Sequence, residues 1–347
     1  MGAATSTPSC SLHSTQCPAE CCSKLSQAWA GDITEYEPGS ILEVHKEQME
    51  PLPPSAADIR KQRDQPREEV ASFESYFSRE LQELENLPDD RTSGRRAPFT
   101  FSSGASYVGQ WRGRCRHGYG VQRWPDGAIY AGQWVDSHAE GMGRFLHSHG
   151  GVFIGQWKRN AAQGLGTYYQ REGRPVYVGS WVGDFQHGHG VERWEGGSEY
   201  DGQWVWGRKH GSGIYTWPDG SKYAGEWKAN AITGYGHYVG QDKREFRGMW
   251  KEAVIDGCGL YIWPDERKFS GQYADDQKEG FGIFSWKDGR SFVGFWHRGK
   301  QHGHGITYSK QGQILKQGIW HNGRQPETPE EAPEKPSPSN FAESELR

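Results

Sequence analysis

The sequence of 347 residues lacks long hydrophobic runs. No stretch of about 18 or more apolar residues occurs, so we predict no membrane-spanning helix. The first residues also lack the apolar core of a secretory signal, and we therefore expect exposure to the cytosol with reduced cysteines. Leucine and isoleucine are scarce, which argues against a helical bundle or an α/β enzyme with a large aliphatic core.

Glycine and tryptophan are abundant instead. The chain has 48 glycines and 16 tryptophans, and 15 of the tryptophans lie between Trp111 and Trp320. This composition favours an all-β repeat in which aromatic rings supply most of the buried area. The net charge is −4, but residues 101–324 carry 28 Lys and Arg against 21 Asp and Glu. This weakly basic balance does not indicate nucleic-acid binding, and none is predicted.

A motif of the form aromatic-x-Gly-x-Trp recurs along the middle of the chain. It begins with Tyr107-Val-Gly-Gln-Trp111 and ends with a degenerate tenth copy at 316–320. The spacing is 23 residues except for two steps of 24. A Gly-x-Gly pair such as Gly118/Gly120 follows each of the first nine copies, and an Asp-Gly or Gly-Gly turn usually follows that pair. Self-similarity at one fixed period predicts a repeat architecture.

Each repeat is predicted to form a β-hairpin. The strand period of two places Tyr107, Gly109 and Trp111 on one face, and the glycines leave room for an aromatic ring from the neighbouring strand. The chain is therefore predicted to be all-β, an elongated antiparallel meander of about ten hairpins and roughly 90 Å. The aromatic residues predicted to build it are Tyr107, Trp111, Tyr130, Trp134, Trp157, Tyr177, Trp181, Tyr200, Trp204, Tyr223, Trp227, Trp250 and Trp296.

These residues resemble the MORN (membrane occupation and recognition nexus) repeat family, whose pattern is Tyr-x-Gly-x-Trp, then Gly-x-Gly, then Asp-Gly. The resemblance covers residues 101–324. It implies a twisted sheet with an aromatic-lined groove, used as scaffold, linker or dimerisation rod at membrane junctions, cilia and the cell cortex. Tyr273 departs from the pattern by replacing Trp, and Lys243 and Glu266 replace the turn glycine, so we expect looser turns there.

No catalytic chemistry is predicted. The resemblance implies that enzymes of this family carry an added catalytic domain, and the rest of this sequence is too short and polar for one. We therefore expect no enzyme and no cofactor. The Gly-x-Gly pairs lack the third glycine and following helix of a nucleotide loop, so we interpret them as strands.

Metal binding is not predicted either. Histidines precede the first glycine of several pairs, and equivalent positions lie about 10 Å apart, too far for two neighbours to share one zinc ion. Cys115 and Cys258 stand alone. The histidines considered are His117, His187, His210 and His302.

Basic residues interleaved with aromatics have two interpretations. They are solvated strand edges, or they contact phosphoinositide headgroups, as the family name suggests. The residues in question are Arg112, Arg114, Arg116, Arg208, Lys209, Lys243, Arg244 and Arg247.

Residues 67–87 are predicted to form an amphipathic acidic helix, followed by a linker over 88–100. An apolar stripe has helical spacing, and the acidic face, which includes Glu80, disfavours an anionic membrane surface. Two alternatives remain: the helix packs on the sheet or caps the open edge of the first hairpin, or it docks to a protein partner. The stripe consists of Val70, Phe73, Phe77, Leu81 and Leu84.

Both ends of the chain are predicted to be disordered, over 1–66 and, as an acidic proline-rich tail, 325–347. Gly2 and Ser6 match the N-myristoylation pattern M-G-x-x-x-[ST]. A single myristoyl chain anchors only marginally, so a second lipid is needed. Its candidate sites are Cys10, Cys17, Cys21 and Cys22. The alternative is an inert tail with incidental cysteines.

The leading hypothesis is a non-enzymatic scaffold, tethered by acylation to the cytosolic face of a plasma, cortical or pellicular membrane. Its repeats would organise cortical or cytoskeletal protein partners, with self-association as one route. The alternatives are a ciliary or axonemal component without a lipid anchor, a cytoplasmic protein, and a direct phosphoinositide sensor.

Overall fold

The computed structural model describes residues 73–89, 92–170 and 175–325. The chain divides into two compact units, a first over 48–255 and a second whose described residues are 256–325. Across the described residues, 21 strands follow one another in antiparallel meander order. The predicted all-β hairpin fold is therefore confirmed.

The first unit begins with two short helices, α1 (Glu74–Phe77) and α2 (Leu81–Glu85). Its strands are β1 (Ser93–Arg95), β2 (Phe99–Thr100), β3 (Ser106–Arg112), β4 (Cys115–Arg123), β5 (Ile129–Val135), β6 (His138–Leu146), β7 (Val152–Lys158), β8 (Ala161–Tyr169), β9 (Pro175–Val182), β10 (Phe185–Arg193), β11 (Glu199–Val205), β12 (Arg208–Thr216), β13 (Lys222–Lys228), β14 (Ala231–Val239) and β15 (Glu245–Lys251). The division falls within β16 (Val254–Ile262). The second unit continues with β17 (Lys268–Ala274), β18 (Gln277–Ser285), β19 (Ser291–His297), β20 (Lys300–Tyr308) and β21 (Ile314–Trp320).

Each hairpin combines a short strand with a longer one. In the first hairpin β3 has seven residues and β4 has nine. Gly109 lies opposite Gly120, but Trp111 lies opposite Arg116, so the long strand accommodates two extra residues. The bulge centres on Gly118, whose φ of 69° lies in the left-handed region that glycine adopts without strain. The same register shift recurs in other hairpins.

The Asp-Gly turns join one hairpin to the next as predicted. The amide of Gly127 donates to the carbonyl of Trp124 at 3.0 Å, and the amide of Trp124 donates to Ala128 at 2.9 Å. The carboxylate of Asp126 accepts the amide of Ala128 at 3.1 Å. Aspartate therefore fixes the turn by bonding to the backbone two residues on.

The looser turns expected at Lys243 and Glu266 are not observed. Lys243 donates its amide to Gly240 at 2.9 Å, and Glu266 donates to Trp263 at 3.0 Å, as the glycines do elsewhere. Both residues adopt left-handed backbone, with φ of 64° and 74°. The preceding aspartate, Asp242 in the first case, still accepts a backbone amide and holds the turn closed. The substitutions therefore strain the backbone by about 1–2 kcal/mol each instead of opening the turn.

The linker predicted over 88–100 is partly wrong. Strands β1 and β2 lie in this range and both pair with β3, with Gly94 opposite Trp111 and Phe99 opposite Tyr107. The physical reason is that an unpaired edge strand exposes a row of amides and carbonyls. This segment, and not a helix, covers the edge of the first hairpin.

The helix predicted over 67–87 is interrupted in its described part. α1 and α2 are separated by a turn at 78–80, and Glu80 is 1 % exposed instead of lying on an acidic solvent face. The Glu80 carboxylate accepts bonds from Ser103 and Trp124, which turns this side chain toward the repeats. Val70 lies outside the described residues.

Candidate protein-interaction surface

The inner face of the sheet, defined as the face that carries Tyr107, Gly109 and Trp111, is built from interlocking rings. A Cβ on Gly109 would lie 2.5 Å from the Tyr107 hydroxyl oxygen, and a Cβ on Gly120 would lie 2.2 Å from the same atom. The Tyr107 ring therefore occupies the space that both glycines leave open. For Gly120 this ring comes from the neighbouring strand, as predicted, whereas for Gly109 it comes from the same strand. It meets Trp111 edge-on at 5.1 Å between centroids and Trp134 of the next repeat at 5.6 Å.

In six repeats the motif tryptophan also donates a hydrogen bond to the repeat before it. The indole N–H of Trp134 donates to the carbonyl of Gly120 at 3.2 Å. Because the ring contact and this bond join the same two repeats, neighbouring repeats are linked through one side chain. The equivalent donors are Trp157, Trp181, Trp204 and Trp227 in the first unit and Trp296 in the second.

In six hairpins a glutamine, or in one of them a glutamate, that was not predicted from the sequence holds the bulge. The side-chain carbonyl of Gln110 accepts the amide of Tyr119 at 2.7 Å. A Cβ on Gly118 would lie 2.1 Å from that oxygen, so a larger residue would displace the glutamine and also strain a backbone with a φ of 69°. The signal in the sequence was the recurrence of Gln directly before the motif Trp. The same bond is made by Gln133, Gln156, Gln203 and Glu226 in the first unit and by Gln272 in the second.

Between adjacent repeats the inner face forms an aromatic box with four ring walls. The ammonium nitrogen of Lys209 lies 4.5–5.7 Å from the ring centroids of Trp194, Tyr200, Tyr215 and Trp227. In the second unit Lys278 has the same environment, at 4.7–5.3 Å from four rings. A cation over aromatic faces is attracted by their quadrupoles.

The residue that enters each box is the second residue of the long strand. It is Arg116 in the first hairpin, which lies 4.3 Å above the Trp134 ring and donates to Gln122 at 3.1 Å and to the Ser137 carbonyl at 3.0 Å. Burial lowers the pKa of Arg116 to about 10, still high enough to keep the guanidinium charged at neutral pH. The residues at this register include Arg116, Ala139, Ala162, Gln186, Lys209 and Ile232 in the first unit and Lys278 and Gln301 in the second.

Where that residue is alanine, the box is filled from outside the repeats. Beside Ala139 the ring of Phe77 lies 5.1–5.8 Å from the rings of Trp124, Tyr130, Phe145 and Trp157, the walls that correspond to those around Lys209. Phe73 packs against Phe145, His147, Phe153 and Trp157 at 4.8–5.7 Å. Both rings are 0 % exposed.

Glu80, which follows Phe73 and Phe77 in the chain, also attaches this segment to the repeats. It accepts the Ser103 hydroxyl at 3.0 Å and the Trp124 indole N–H at 3.3 Å. Burial raises the pKa of Glu80, although both hydrogen bonds and the nearby Arg116 oppose that rise. The half-buried Glu83 also accepts bonds from the amide and the hydroxyl of Ser102.

The predicted apolar stripe therefore lies against the repeats of its own chain. Phe73, Phe77 and Leu84 are buried and Leu81 is half-buried, while Val70 lies outside the described residues. These contacts agree with the predicted alternative in which the segment packs on the sheet. Partner docking through the same side chains stays a prediction, and it requires the segment to leave this position.

The opposite, outer face carries a row of exposed apolar side chains. Tyr119, Met142 and Leu165, the middle residues of three successive Gly-x-Gly pairs, are 62 %, 52 % and 66 % exposed. An open groove of about 660 Å³ runs over this face. Its lining includes Val108, Tyr119, Val121, Met142 and Ile154, with Arg95 and Arg144 among the polar residues. In the second unit Phe281 and Phe295 are exposed at the same register.

The basic residues considered for headgroup binding do not form one exposed patch. Arg116 and Lys209 are buried in aromatic boxes. Arg112, Arg244 and Arg247 are ion-paired with nearby carboxylates. At least two of the eight candidates are therefore inaccessible to a lipid headgroup in this structure.

The histidines and cysteines considered for metal binding occupy separate surroundings. His117 lies 3.8 Å from Asp136, His187 contacts the Trp206 ring, and His302 lies between His297 and His321. Neither Cys115 nor Cys258 forms a disulfide within the described residues. Within the described ranges 73–89, 92–170 and 175–325, no group of three His, Cys, Asp or Glu is arranged to hold a metal ion. Nor does any helix in these ranges have the length and hydropathy to cross a membrane.

The lipidation candidates lie outside the described residues. These are Gly2, Cys10, Cys17, Cys21 and Cys22.

Comparison with known proteins identifies the repeats. A family profile described as MORN repeat matches nine consecutive segments, at 107–129, 130–151, 153–173, 177–199, 200–222, 223–243, 246–266, 269–289 and 292–314. A search of curated proteins gives no match.

Solved structures give only distant similarities. A mutant TCP10 domain of Danio rerio CPAP is 10 % identical, with a TM-score of 0.29, covering 65 % of this chain and all of that one. The TCP domain of Drosophila melanogaster SAS-4, solved with a proline-rich motif of Ana2, is 13 % identical, with a TM-score of 0.30, covering 52 % of this chain and 90 % of that one.

Proposed function

Because the chain belongs to the MORN repeat family, a non-catalytic module that mediates protein or membrane interactions, we propose that it is a membrane-tethered, non-enzymatic scaffold. The repeat sheet binds a protein partner on its outer face. The N-terminal segment supplies the tether. Cortical or cytoskeletal proteins are the class of partner that such a scaffold organises.

The observation that carries the partner-binding role is the row of exposed apolar side chains on the outer face. Soluble proteins rarely leave large contiguous apolar patches in contact with water, and such patches commonly mark interaction sites. Tyr119, Met142 and Leu165 supply the apolar contacts, and Arg95 and Arg144 border them with positive charge. The partner that fits is a protein segment with apolar side chains beside a carboxylate.

The outer-face proposal is tested by placing charge in the row. The combined variant Tyr119→Glu, Met142→Glu and Leu165→Glu is compared with Lys158→Glu combined with Lys228→Glu, which alters exposed residues at the ends of short strands. Proximity labelling in cells is expected to lose the same set of proteins only in the outer-face variant. Retention of the full set by a correctly folded outer-face variant would overturn the proposal.

The tether is proposed on the sequence pattern at Gly2 with the four cysteines that follow it. Two lipid chains together give the stable attachment that one myristoyl chain does not. Intact-mass measurement of the native protein is expected to show a myristoyl increment at the N-terminus. Gly2→Ala, and the variant with Cys10, Cys17, Cys21 and Cys22 all changed to Ser, are expected to move to the soluble fraction. If both fractionate as wild type does, the tether is wrong, and binding to an axoneme that is indifferent to Gly2 would instead select the ciliary alternative.

A further inference from the structure

The inner face of the second unit presents two partly exposed tryptophans at matching positions. Trp263 and Trp286 each follow the last residue of a long strand, β16 and β18, one repeat apart. In the first unit the equivalent Trp124 is covered by Tyr76 and Phe77, at 5.3 and 5.6 Å between ring centroids, and is 4 % exposed. Between 256 and 325 the structure describes no helix that covers this face.

The spacing of these two tryptophans suits a polyproline II segment. Positions one repeat apart are separated by two strands, which is about 9.6 Å. Three residues of polyproline II span about 9.3 Å. A segment with prolines at i and i+3, lying across the strands, therefore places one proline on each tryptophan. Aromatic-lined surfaces bind proline-rich segments in this way.

The chain contains such a segment directly after the described residues. Pro333 and Pro336 are three residues apart, and residues 326–338 contain four glutamates and one lysine. Cationic groups border both tryptophans: Lys278 lies 5.1 Å from the Trp263 ring, and Arg290, which is ion-paired with Asp288 at 2.7 Å, lies 5.5 Å from the Trp286 ring. Residues 256–325 as a whole carry 10 Lys and Arg against 7 Asp and Glu. The segment and the face are therefore complementary in charge.

The end of the described chain also points to this face. The side-chain amide of Gln325 donates to the carbonyl of Gln317 at 3.0 Å, so the chain has turned back onto β21. A Cβ on Gly318 would lie 2.5 Å from the same amide nitrogen. Gly318 corresponds to the glycines that lie under the inner-face rings in other repeats. The eight residues from 325 to 333 span up to about 25 Å in polyproline II, which is ample for a neighbouring repeat.

We propose that residues 326–338 bind in polyproline II conformation across the inner face of residues 256–325 of the same chain. Pro333 packs on Trp286 and Pro336 packs on Trp263. The glutamates face Lys278 and Arg290. The tail thus covers this face of the second unit much as residues 73–85 cover the inner face around Trp124. This contact is independent of partner binding on the outer face and of the lipid tether.

The proposal is tested in the full-length chain with a photoreactive residue in the tail. Ala332→benzoylphenylalanine places the probe beside Pro333, and Ser344→benzoylphenylalanine is the matched control farther along the tail. After irradiation, peptide mapping is expected to show Ala332 cross-linked within the chain to peptides that contain Trp286 or Trp263. Cross-links that are absent, scattered over the sheet, or equal for both probes would overturn the proposal. Cross-linked dimers as the main product would also overturn it, because the tail would then occupy a second copy.

Charge and conformation are tested separately on the same cross-link. Arg290→Glu is expected to reduce its yield about two- to five-fold, as for a surface charge contact, and rising salt is expected to reduce it further. Arg298→Glu, at the other end of β19, is the matched control and leaves the yield unchanged. Replacing both Pro333 and Pro336 by Ser is expected to reduce the yield several-fold without touching the folded repeats. Equal yields from these variants and wild type would contradict the mode of binding.

Discussion

The box beside Ala139 and the box around Lys209 have corresponding aromatic walls but are filled in opposite ways. Around Lys209 the long strand supplies its own cation, which lies 4.5–5.7 Å from four ring centroids. Beside Ala139 the strand supplies only a methyl group, and Phe77 fills the box from a segment outside the repeats. One residue per hairpin therefore determines whether a repeat is self-contained or needs another part of the chain.

This difference explains where the segment at 73–85 attaches. The repeat motif is nearly the same along the chain, so the motif alone offers many equivalent sites. Alanine stands at the box position in two consecutive hairpins, at Ala139 and Ala162, and Phe77 and Phe73 pack in that region. Self-filled boxes would exclude both rings. The inner face thus acquires binding specificity through small residues, while the aromatic walls stay constant.

The largest loss of stability is expected when the box beside Ala139 is emptied by removing the Phe77 ring. Phe77→Ala removes a ring in contact with five others, and we expect the free energy of unfolding to fall by about 3–5 kcal/mol. Urea unfolding measures this loss, and trypsin cleavage after the exposed Arg79 reports release of the segment. Tyr119→Ala, on the outer face, is the control and should change stability by less than about 0.5 kcal/mol. Equal stability and equal cleavage in Phe77→Ala and wild type would show that the ring does not hold the segment.

The next largest effect is a dependence of folding stability on pH, which arises from His147 beside the Phe73 ring. Burial, with a smaller effect of His149, lowers the pKa of His147 to about 4, and its ring lies 4.8 Å from Phe73 and 4.7 Å from Phe145. The unfolded chain takes up this proton near its ordinary pKa of about 6.5, whereas the folded chain resists it until about pH 4. Stability is therefore complete above pH 6.5 and is lost as the pH falls toward 4, by on the order of 3 kcal/mol.

The measurement is the urea midpoint as a function of pH for wild type and His147→Phe. The variant keeps an aromatic ring but has no titrating group, so its stability should fall less between pH 6.5 and 4. Carboxylates that titrate in the same range affect both proteins and cancel in the difference. Parallel pH curves for the two proteins would contradict the assignment to His147.

Sequence periodicity predicted the hairpins because the motif itself encodes them. Tyr107 must lie over Gly109 and Gly120, and that requirement is visible as a fixed spacing of aromatic and glycine residues. The attachment of the segment at 73–85 was not predictable in the same way. The attachment depends on the small residue Ala139 in one hairpin. The role of this alanine becomes visible only in the folded chain, where Trp124 and Trp157 surround the box that Phe77 fills.

Local features were missed for a related reason. Glu80 looks like part of an acidic solvent face until Ser103 and Trp124, far along the chain, are placed beside it. Arg116 and Lys209 look like exposed strand-edge charges because the sequence does not show which long-strand residues turn inward at the bulge. Contacts between distant residues, and the facing of residues next to a bulge, need three-dimensional structure.

A smaller loss of stability is expected when a lysine is introduced into the box that Phe77 fills. Ala139→Lys places a cation where Phe77 now lies, and overpacking is expected to cost about 1–3 kcal/mol unless the segment leaves. We expect the segment to be displaced and trypsin cleavage after Arg79 to accelerate. Met142→Lys, exposed on the outer face of the same strand, is the matched control and should leave cleavage unchanged. If trypsin cleaves after Arg79 no faster in Ala139→Lys than in wild type, the lysine side chain lies outside the box. The residue at the box position would then not select the attachment site.

The smallest expected effect tests what the lysine contributes to its own box. Lys209→Met keeps an unbranched side chain of similar length and removes the charge, while the backbone amide of residue 209 keeps its bond to Asn230. We expect a loss of about 1 kcal/mol, because the cation–π attraction to four rings outweighs the cost of burying the ammonium group. Lys228→Met, exposed at the end of β13, is the control and should change urea stability by less than that amount. A more stable Lys209→Met protein would reverse the sign of this balance, and the box would then be an apolar cavity that tolerates a charge.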